Sequence, residues 1–103
     1  MSVLLEFAMF PTDKGDSVSE YVSQVIRMID ESGVSYKLTP MGTIIETETL
    51  SDALKVIEDA YAILDPHSER VYSSMTLDIR KGKDDRLEGK IASIQQKIGA
   101  VKT

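Results

Sequence analysis

Residues 35–49 read SYKLTPMGTIIETET. Ser35 to Thr39 and Thr43 to Thr49 are rich in β-branched and aromatic side chains, which favour a pleated backbone, and Pro40-Met41-Gly42 between them supplies a turn. The segment predicts a hairpin of two antiparallel strands. A helical period flanks it on both sides. Upstream, Val18, Val22, Val25 and Ile29 share a stripe that Tyr21, Ile26 and Met28 widen; Ser17-Val18-Ser19-Glu20 has the form of a capping box, and Gly33 provides a left-handed stop. Downstream, Ser51 is placed to cap a helix in which Leu54, Ile57, Tyr61 and Leu64 share a stripe with Ala53 and Ala60, ending before Pro66.

Further outward, Val3 to Phe10 is almost wholly apolar and is bounded by the turn-rich Pro11 to Asp16, as suits a central strand. Arg70 to Arg80 alternates, with Val71, Ser73, Met75, Leu77 and Ile79 against Tyr72, Ser74, Thr76, Asp78 and Arg80: a half-buried strand of period two. Strand, helix, strand, strand, helix, strand is the split βαβ order. It predicts an α+β, ferredoxin-like βαββαβ sandwich with sheet order 4-1-3-2 and both helices on one face. An additional C-terminal helix follows the turn Lys81 to Asp84, opened by Asp85 with Glu88 in a capping pattern. Its Leu87, Ile91, Ile94, Ile98 and Val101 form an a/d seam, fitted equally to docking on its own domain or on another subunit.

A chain of 103 residues has room for one core, so residues 1–103 are expected to form a single domain. With 42% hydrophobic and 28% charged residues it has the composition of a globular protein rather than of a disordered or membrane-spanning one. Its apolar start is interrupted by Glu6 and has no positive flank, so no secretory signal is expected and the cytoplasm is the predicted location. The absence of cysteine excludes disulfides, thiolate metal sites, thiol nucleophiles and Fe–S clusters. The single histidine, His67, lies in a stretch of loop composition and reads as a solvated surface residue. No metal site and no catalytic set is indicated. The net charge of −5 opposes nucleic-acid binding, because phosphate contacts need clustered Lys and Arg; a cationic or neutral small molecule is a more natural partner.

In the predicted sandwich the helices should cover Val3, Leu5, Phe7, Met9, Ile45, Val71, Met75, Leu77 and Ile79. The other face then carries Leu4, Glu6, Ala8, Phe10, Ile44, Glu46, Glu48, Tyr72, Ser74, Thr76, Asp78 and Arg80. Leu4, Phe10, Ile44 and Tyr72 make this open face apolar enough to predict sheet-on-sheet dimerisation. With strands 1 and 3 neighbours, Glu6 and Glu46 are expected to approach one another, with Asp78 and Arg80 on the other neighbour of strand 1; carboxylates enclosed there need partners: a ligand with positive charge or hydrogen-bond donors, or else Arg80, Lys37 or solvent.

Three stretches carry a family resemblance: Ser17-Val18-Ser19-Glu20-Tyr21-Val22; Tyr36 through Met41-Gly42-Thr43 to Glu46; and Arg70-Val71-Tyr72 running to Asp78-Ile79-Arg80. Together they resemble the thiamine-binding, YkoF-like family over nearly the full chain, most specifically in Met41-Gly42-Thr43-x-x-Glu46 and Asp78-x-Arg80. The resemblance implies a ferredoxin-like fold, assembly into dimers and tetramers, and binding of thiamine or its hydroxymethylpyrimidine moiety without known catalysis and with no cofactor. It implies ligand-binding roles for Ser17, Ser19, Gly42, Thr43, Glu46, Asp78 and Arg80. Glu46 would meet the amine and Asp78 the cation. Hydroxyls would come from Ser17, Ser19 and Thr43, close backbone approach from Gly42, and walls from Met41, Phe10 or Tyr72. Each has a structural alternative: Ser17 a helix cap, Gly42 a turn residue, Asp78 with Arg80 a strand-end ion pair. The pocket is left between two places, the open face between subunits or the space between the helices and the loop after the first strand.

Two other classes of function stand beside this one. A ferredoxin-like enzyme would use Glu46 and Asp78 for acid–base work, but no nucleophile accompanies them, and the loop Pro11 to Asp16 is acidic and without the arginine of an acylphosphatase-type phosphate cradle. A protein-interaction or regulatory domain would need no small ligand; an RNA-binding version is opposed by the charge and by the lack of paired stacking aromatics.

Overall fold

In the computed structural model, which describes every residue but Ser17, the apolar run at the start of the chain is strand β1 (Ser2–Pro11). There follow helix α1 (Ser19–Ser32), the hairpin β2 (Ser35–Thr39) and β3 (Gly42–Thr47), helix α2 (Leu50–Leu64), a 3₁₀ turn (Asp65–His67), β4 (Val71–Arg80) and helix α3 (Arg86–Ile98). The sheet order is β2-β3-β1-β4, the expected 4-1-3-2 read from the other edge, with every neighbouring pair antiparallel.

Alternation along β1 sends Val3, Leu5, Phe7 and Met9 to the helix side, where they are 0% to 7% exposed. They pack with Ile45 of β3, with Val25 and Ile29 of α1, and with Ala53, Val56, Ala60 and Leu64 of α2. The hairpin turn is held by the Thr39 hydroxyl, which accepts from the Met41 and Gly42 amides and donates to the Gly42 carbonyl at 2.7 Å. His67 is exposed as expected, its ring 5.4 Å from that of Tyr21.

Several expectations are corrected. α1 begins at Ser19 with Val18 in the capping position and no side-chain cap bond; the Ser17 part of the capping box lies outside the described residues. α2 is capped by Thr49, whose hydroxyl accepts from the Asp52 amide at 3.1 Å, and not by Ser51, which sits inside the first turn. The buried stripe of α2 is Ala53, Val56, Ala60 and Leu64, and Leu54 and Tyr61 of the expected stripe are 40% and 48% exposed. The helices also fail to cover the far strand. Met75, Leu77 and Ile79 point to the helix side of β4 yet remain 50%, 42% and 47% exposed. β4 is an edge strand, and α3 does not fill the gap beside it.

α3 crosses to the opposite face. Its first turn lies over one end of the open face, with Arg86 and Leu87 buried and Lys37 of β2 paired to Glu88 at 3.2 Å. Only the start of the seam is docked: Ile91 is half-buried, whereas Ile94 and Ile98 are 50% and 73% exposed. Asp85 makes no side-chain cap bond; it adopts a left-handed conformation with φ of 53°.

Candidate functional site

The two ends of the sheet are built differently. At one end lies a cleft of about 360 Å³ between the first half of α1, the last part of β1 and the hairpin turn, lined by Phe7 to Phe10, Val18, Val22, Val25, Ile26 and Leu38 to Thr43. Its walls are almost entirely apolar. It exists because β1 outruns its neighbour: pairing with β3 stops at Phe7 opposite Thr43, while pairing with β4 continues to Pro11. An ideal Cβ on Gly42 would come within 3.0 Å of the Phe7 carbonyl oxygen, so that carbonyl faces the hairpin and glycine is what lets the turn close on it. Strand backbone groups turn the same way every second residue. The Met9 N–H and C=O therefore face the same side, beyond the end of β3, and give the cleft a donor beside an acceptor. The loop after β1 is tied to the segment before β4 by Asp13, which accepts from the Ser68 hydroxyl at 2.6 Å and the Glu69 amide at 2.9 Å. Those bonds hold the Asp13 carboxyl below its ordinary range.

At the other end sits a polar clamp. Glu46 accepts from the Ser2 hydroxyl and, with both oxygens, from the Arg86 and Leu87 amides at 2.9 and 3.0 Å, so a carboxylate from β3 caps the N-terminus of α3. Arg86, only 5% exposed, donates through Nε to the Ser2 hydroxyl and through Nη2 to the carbonyls of Ser2 and Asp78, and pairs with the Asp78 carboxylate at 3.0 Å. Lys90 reaches the same carboxylate at 3.3 Å. Glu46 and Asp78 flank Leu4 on opposite neighbours, so their strands lie about 10 Å apart, with Arg86 between.

Electrostatics follow from these contacts. Burial pushes the Glu46 carboxyl up, but the bonds from Ser2, Leu87 and Arg86 and the Arg86 charge outweigh it, and the net shift is downward from 4.5. A depressed folded value means that the stabilisation is present above the unfolded value and is lost as pH falls through the folded one. Glu46→Gln is therefore expected to lower stability at pH 7 by roughly 1 kcal/mol, the usual worth of a cap, and to flatten the loss of stability below pH about 4.5. Urea midpoints for both proteins at pH 7 and pH 3.5 check this; parallel acid limbs would exclude it. The Asp78 carboxyl is also lowered, by Arg86 first and Lys90 second.

The residues proposed from sequence divide between the two ends. Gly42 and Thr43 line the cleft, and Ser19 opens α1 beside the lining Val18; Ser17 lies outside the described residues. Glu46 and Asp78 belong to the clamp, about 13 Å of strand away from Gly42. Arg80 stands next to it, opposite Ser2. Of the candidate walls, Met41 and Phe10 line the cleft, and Phe10 stacks at 5.6 Å on Tyr72, which is on the open face. The expected partners of the carboxylates, Arg80 and Lys37, are not the ones used. Arg86 is, and with Ser2 it was missed. Lying in the first turn of a helix expected to cap itself, Arg86 gave no local signal of its burial.

Comparison with known proteins gives one consistent answer. A family described as thiamine-binding protein matches residues 5–95. A Methanothermobacter thermautotrophicus UPF0045 protein is 32% identical over 83 residues, 80% of this chain and 84% of its own length. The crystal structure of a Methanocaldococcus jannaschii protein superposes with a TM-score of 0.79 at 32% identity, covering 92% of this chain and 97% of that one. A Thermotoga maritima protein provisionally assigned to thiamine biosynthesis or salvage has the same fold, with a TM-score of 0.78 at 18% identity over 91% of this chain and 99% of its own. Sequence, fold and family match agree: the chain belongs to the thiamine-binding protein family.

Proposed function

We propose that this protein binds thiamine, or the hydroxymethylpyrimidine part of it, without transforming it, as a cytoplasmic carrier, buffer or sensor. The observation that carries the reading is the cleft, an apolar slot with the Met9 main-chain donor and acceptor at its edge. An aminopyrimidine presents a ring-nitrogen acceptor beside an exocyclic N–H donor, the complement of that pair. The flat ring needs the apolar walls that Val22, Ile26 and Leu38 supply. At about 360 Å³ the cleft falls at the small end of the range for small-molecule sites, roughly 300–1,000 Å³, and suits one such ring with a short arm. The permanently charged thiazolium is then at the mouth, in a protein of net charge −5. Gly42, Thr43 and Ser19 are the residues of the expected set that this placement uses.

Glu46, Asp78 and Arg80 act in the same reading as the frame that positions α3. A second copy on the open face, against Phe10, Ile44 and Tyr72, completes the assembly as we read it, the Leu4 end of that face being already occupied by α3. Acid–base catalysis by Glu46 and Asp78 is disfavoured by their engagement with Arg86.

Calorimetric titration with thiamine, thiamine diphosphate and hydroxymethylpyrimidine tests the proposal. A saturable heat is expected with thiamine or the pyrimidine. Val22→Trp, which fills the slot, is expected to weaken binding at least tenfold, and Glu46→Gln to leave it within about twofold. Absence of heat with all three compounds would sink the ligand reading. Weakening by Glu46→Gln but not by Val22→Trp would move the ligand to the clamp.

A further inference from the structure

Positive charge is gathered where β4 gives way to α3. Five of the chain's twelve Lys and Arg residues, Arg80, Lys81, Lys83, Arg86 and Lys90, lie between positions 80 and 90 of a protein whose net charge is −5. All but Lys81 line a cavity of about 200 Å³, together with Asp84, Asp85, Gly89 and Ser93. Their charge is only partly balanced there. Arg86 and Lys90 share the single carboxylate of Asp78, and Asp84 is paired with the N-terminal ammonium of Met1 at 3.6 Å. Arg80, outside the Arg86 frame, and Lys83 are exposed and have no hydrogen bond or ion pair among the described residues. With Asp85 as the remaining acid of the wall, the cavity keeps a surplus of two positive charges. Gly89 is the second notable feature. A glycine inside a helix costs roughly 1 kcal/mol relative to alanine, and the packing of the chain does not require this one. Gly42 is needed because a Cβ would meet the Phe7 carbonyl, whereas no atom lies within 4 Å of the place a Cβ on Gly89 would take. The room it leaves belongs to the cavity, and Ser93, one turn further along the same helix face, adds a hydroxyl.

We propose that this cavity is a second binding site, which takes the phosphate group of a small anionic molecule. Arg80 and Lys83 are its free cations, Lys90 and Arg86 add charge, the Ser93 hydroxyl donates, and Gly89 lets the group come close to the helix backbone. A phosphate dianion matches the surplus of two charges, and its oxygens accept from donors arriving on several sides, as a flat carboxylate does less well. The volume lies below the roughly 300 Å³ at which sites for whole small molecules begin, so the cavity holds the anionic group while the rest of the ligand stays outside. The acidic rim of Asp84 and Asp85 suits a single phosphate and repels a continuous polyanion such as a nucleic acid. The N-terminus of α3 plays no part, because its Arg86 and Leu87 amides already donate to Glu46. The site is also separate from the apolar cleft. Arg80 lies opposite Ser2, whereas the cleft begins at Phe7 and runs to the far end of β1, so the proposal does not rest on the thiamine reading.

Titration with inorganic phosphate and with pyrophosphate, followed by amide chemical shifts at an ionic strength held constant with chloride, tests the site. Saturable shifts are expected at Gly89, Lys90 and Ser93, with Val22 and Gly42 of the cleft unmoved. Lys83→Gln is expected to weaken the binding by roughly threefold, the scale of one exposed charge contact. Gly89→Glu brings a carboxylate into the cavity at a helix position where glutamate is a better former than glycine. It is expected to abolish the saturable shifts without lowering the melting temperature. A response that drifts without saturating, one that chloride alone reproduces, or binding that survives Gly89→Glu and Lys83→Gln unchanged would each overturn the proposal.

Discussion

Replacing Arg86 with alanine is expected to lower the stability of the protein by about 2–3 kcal/mol, the scale for losing a buried group with several charge-assisted hydrogen bonds. Arg86 is 5% exposed and satisfies the carbonyls of Ser2 and Asp78 and the hydroxyl of Ser2. Without it the Ser2 carbonyl loses its donor, and the Glu46 carboxylate loses the cation next to it. The partner carboxylate of Asp78 is about half exposed and returns to water, so the loss stays below the full penalty of an orphaned buried charge. For a domain of this size each kcal/mol is worth roughly 4–8 °C, so a melting temperature lower by about 10–20 °C is the expected reading. Hydrogen exchange adds the spatial test. Protection is expected to fall across α3 first, because α3 meets the sheet mainly through its first two turns, while β1 and α2 keep theirs. Arg86→Lys is not expected to restore it, since one ammonium cannot reproduce a fork shared by Ser2 and Asp78. A melting temperature within 2 °C of the wild type would show that the clamp does not hold the helix.

The second large effect is expected at Leu5. Leu5→Ala removes a side chain that is 0% exposed at the centre of the core, where β1 packs under α2, and about 3–4 kcal/mol of stability should go with it. The informative comparison is with its cross-strand neighbour. Leu77 sits directly opposite Leu5, on the same side of the sheet, and is 42% exposed. In the dissociated protomer Leu77→Ala should cost less than about 1 kcal/mol, since little apolar area leaves contact. Urea unfolding at protein concentrations low enough to populate the protomer measures both. Equal losses would mean that β4 is covered in the protomer after all.

That pair also shows where reading the chain stops. Leu5 and Leu77 occupy equivalent places in strands of the same alternation, and the sequence assigns both to the covered side. Alternation states which side a residue points to; it does not state whether a helix reaches that far. The reach of α2 was decided by its position over the inner strands, where Ala53, Val56, Ala60 and Leu64 pack with β1 and β3. The candidate site divides in the same way. Gly42 and Thr43 were named from the family resemblance with the place of the pocket left open, whereas the cleft they line comes from the difference in length between β1 and β3, which no single stretch records.

The order of elements, the hairpin at 35–49, the sheet order and the inward set of β1 were legible because each rests on a local period, a turn residue or the handedness of a crossover, all acting within a few residues. The far edge and the clamp were decided only in three dimensions. Glu46 and Arg86 are 40 residues apart, and nothing near either one announces the other. Glu46 read as a carboxylate in need of a partner, but nothing in the sequence singled out Arg86 as that partner. Only the path of α3 across the open face brought them within hydrogen-bond distance, and that path depends on the space the rest of the chain had left uncovered.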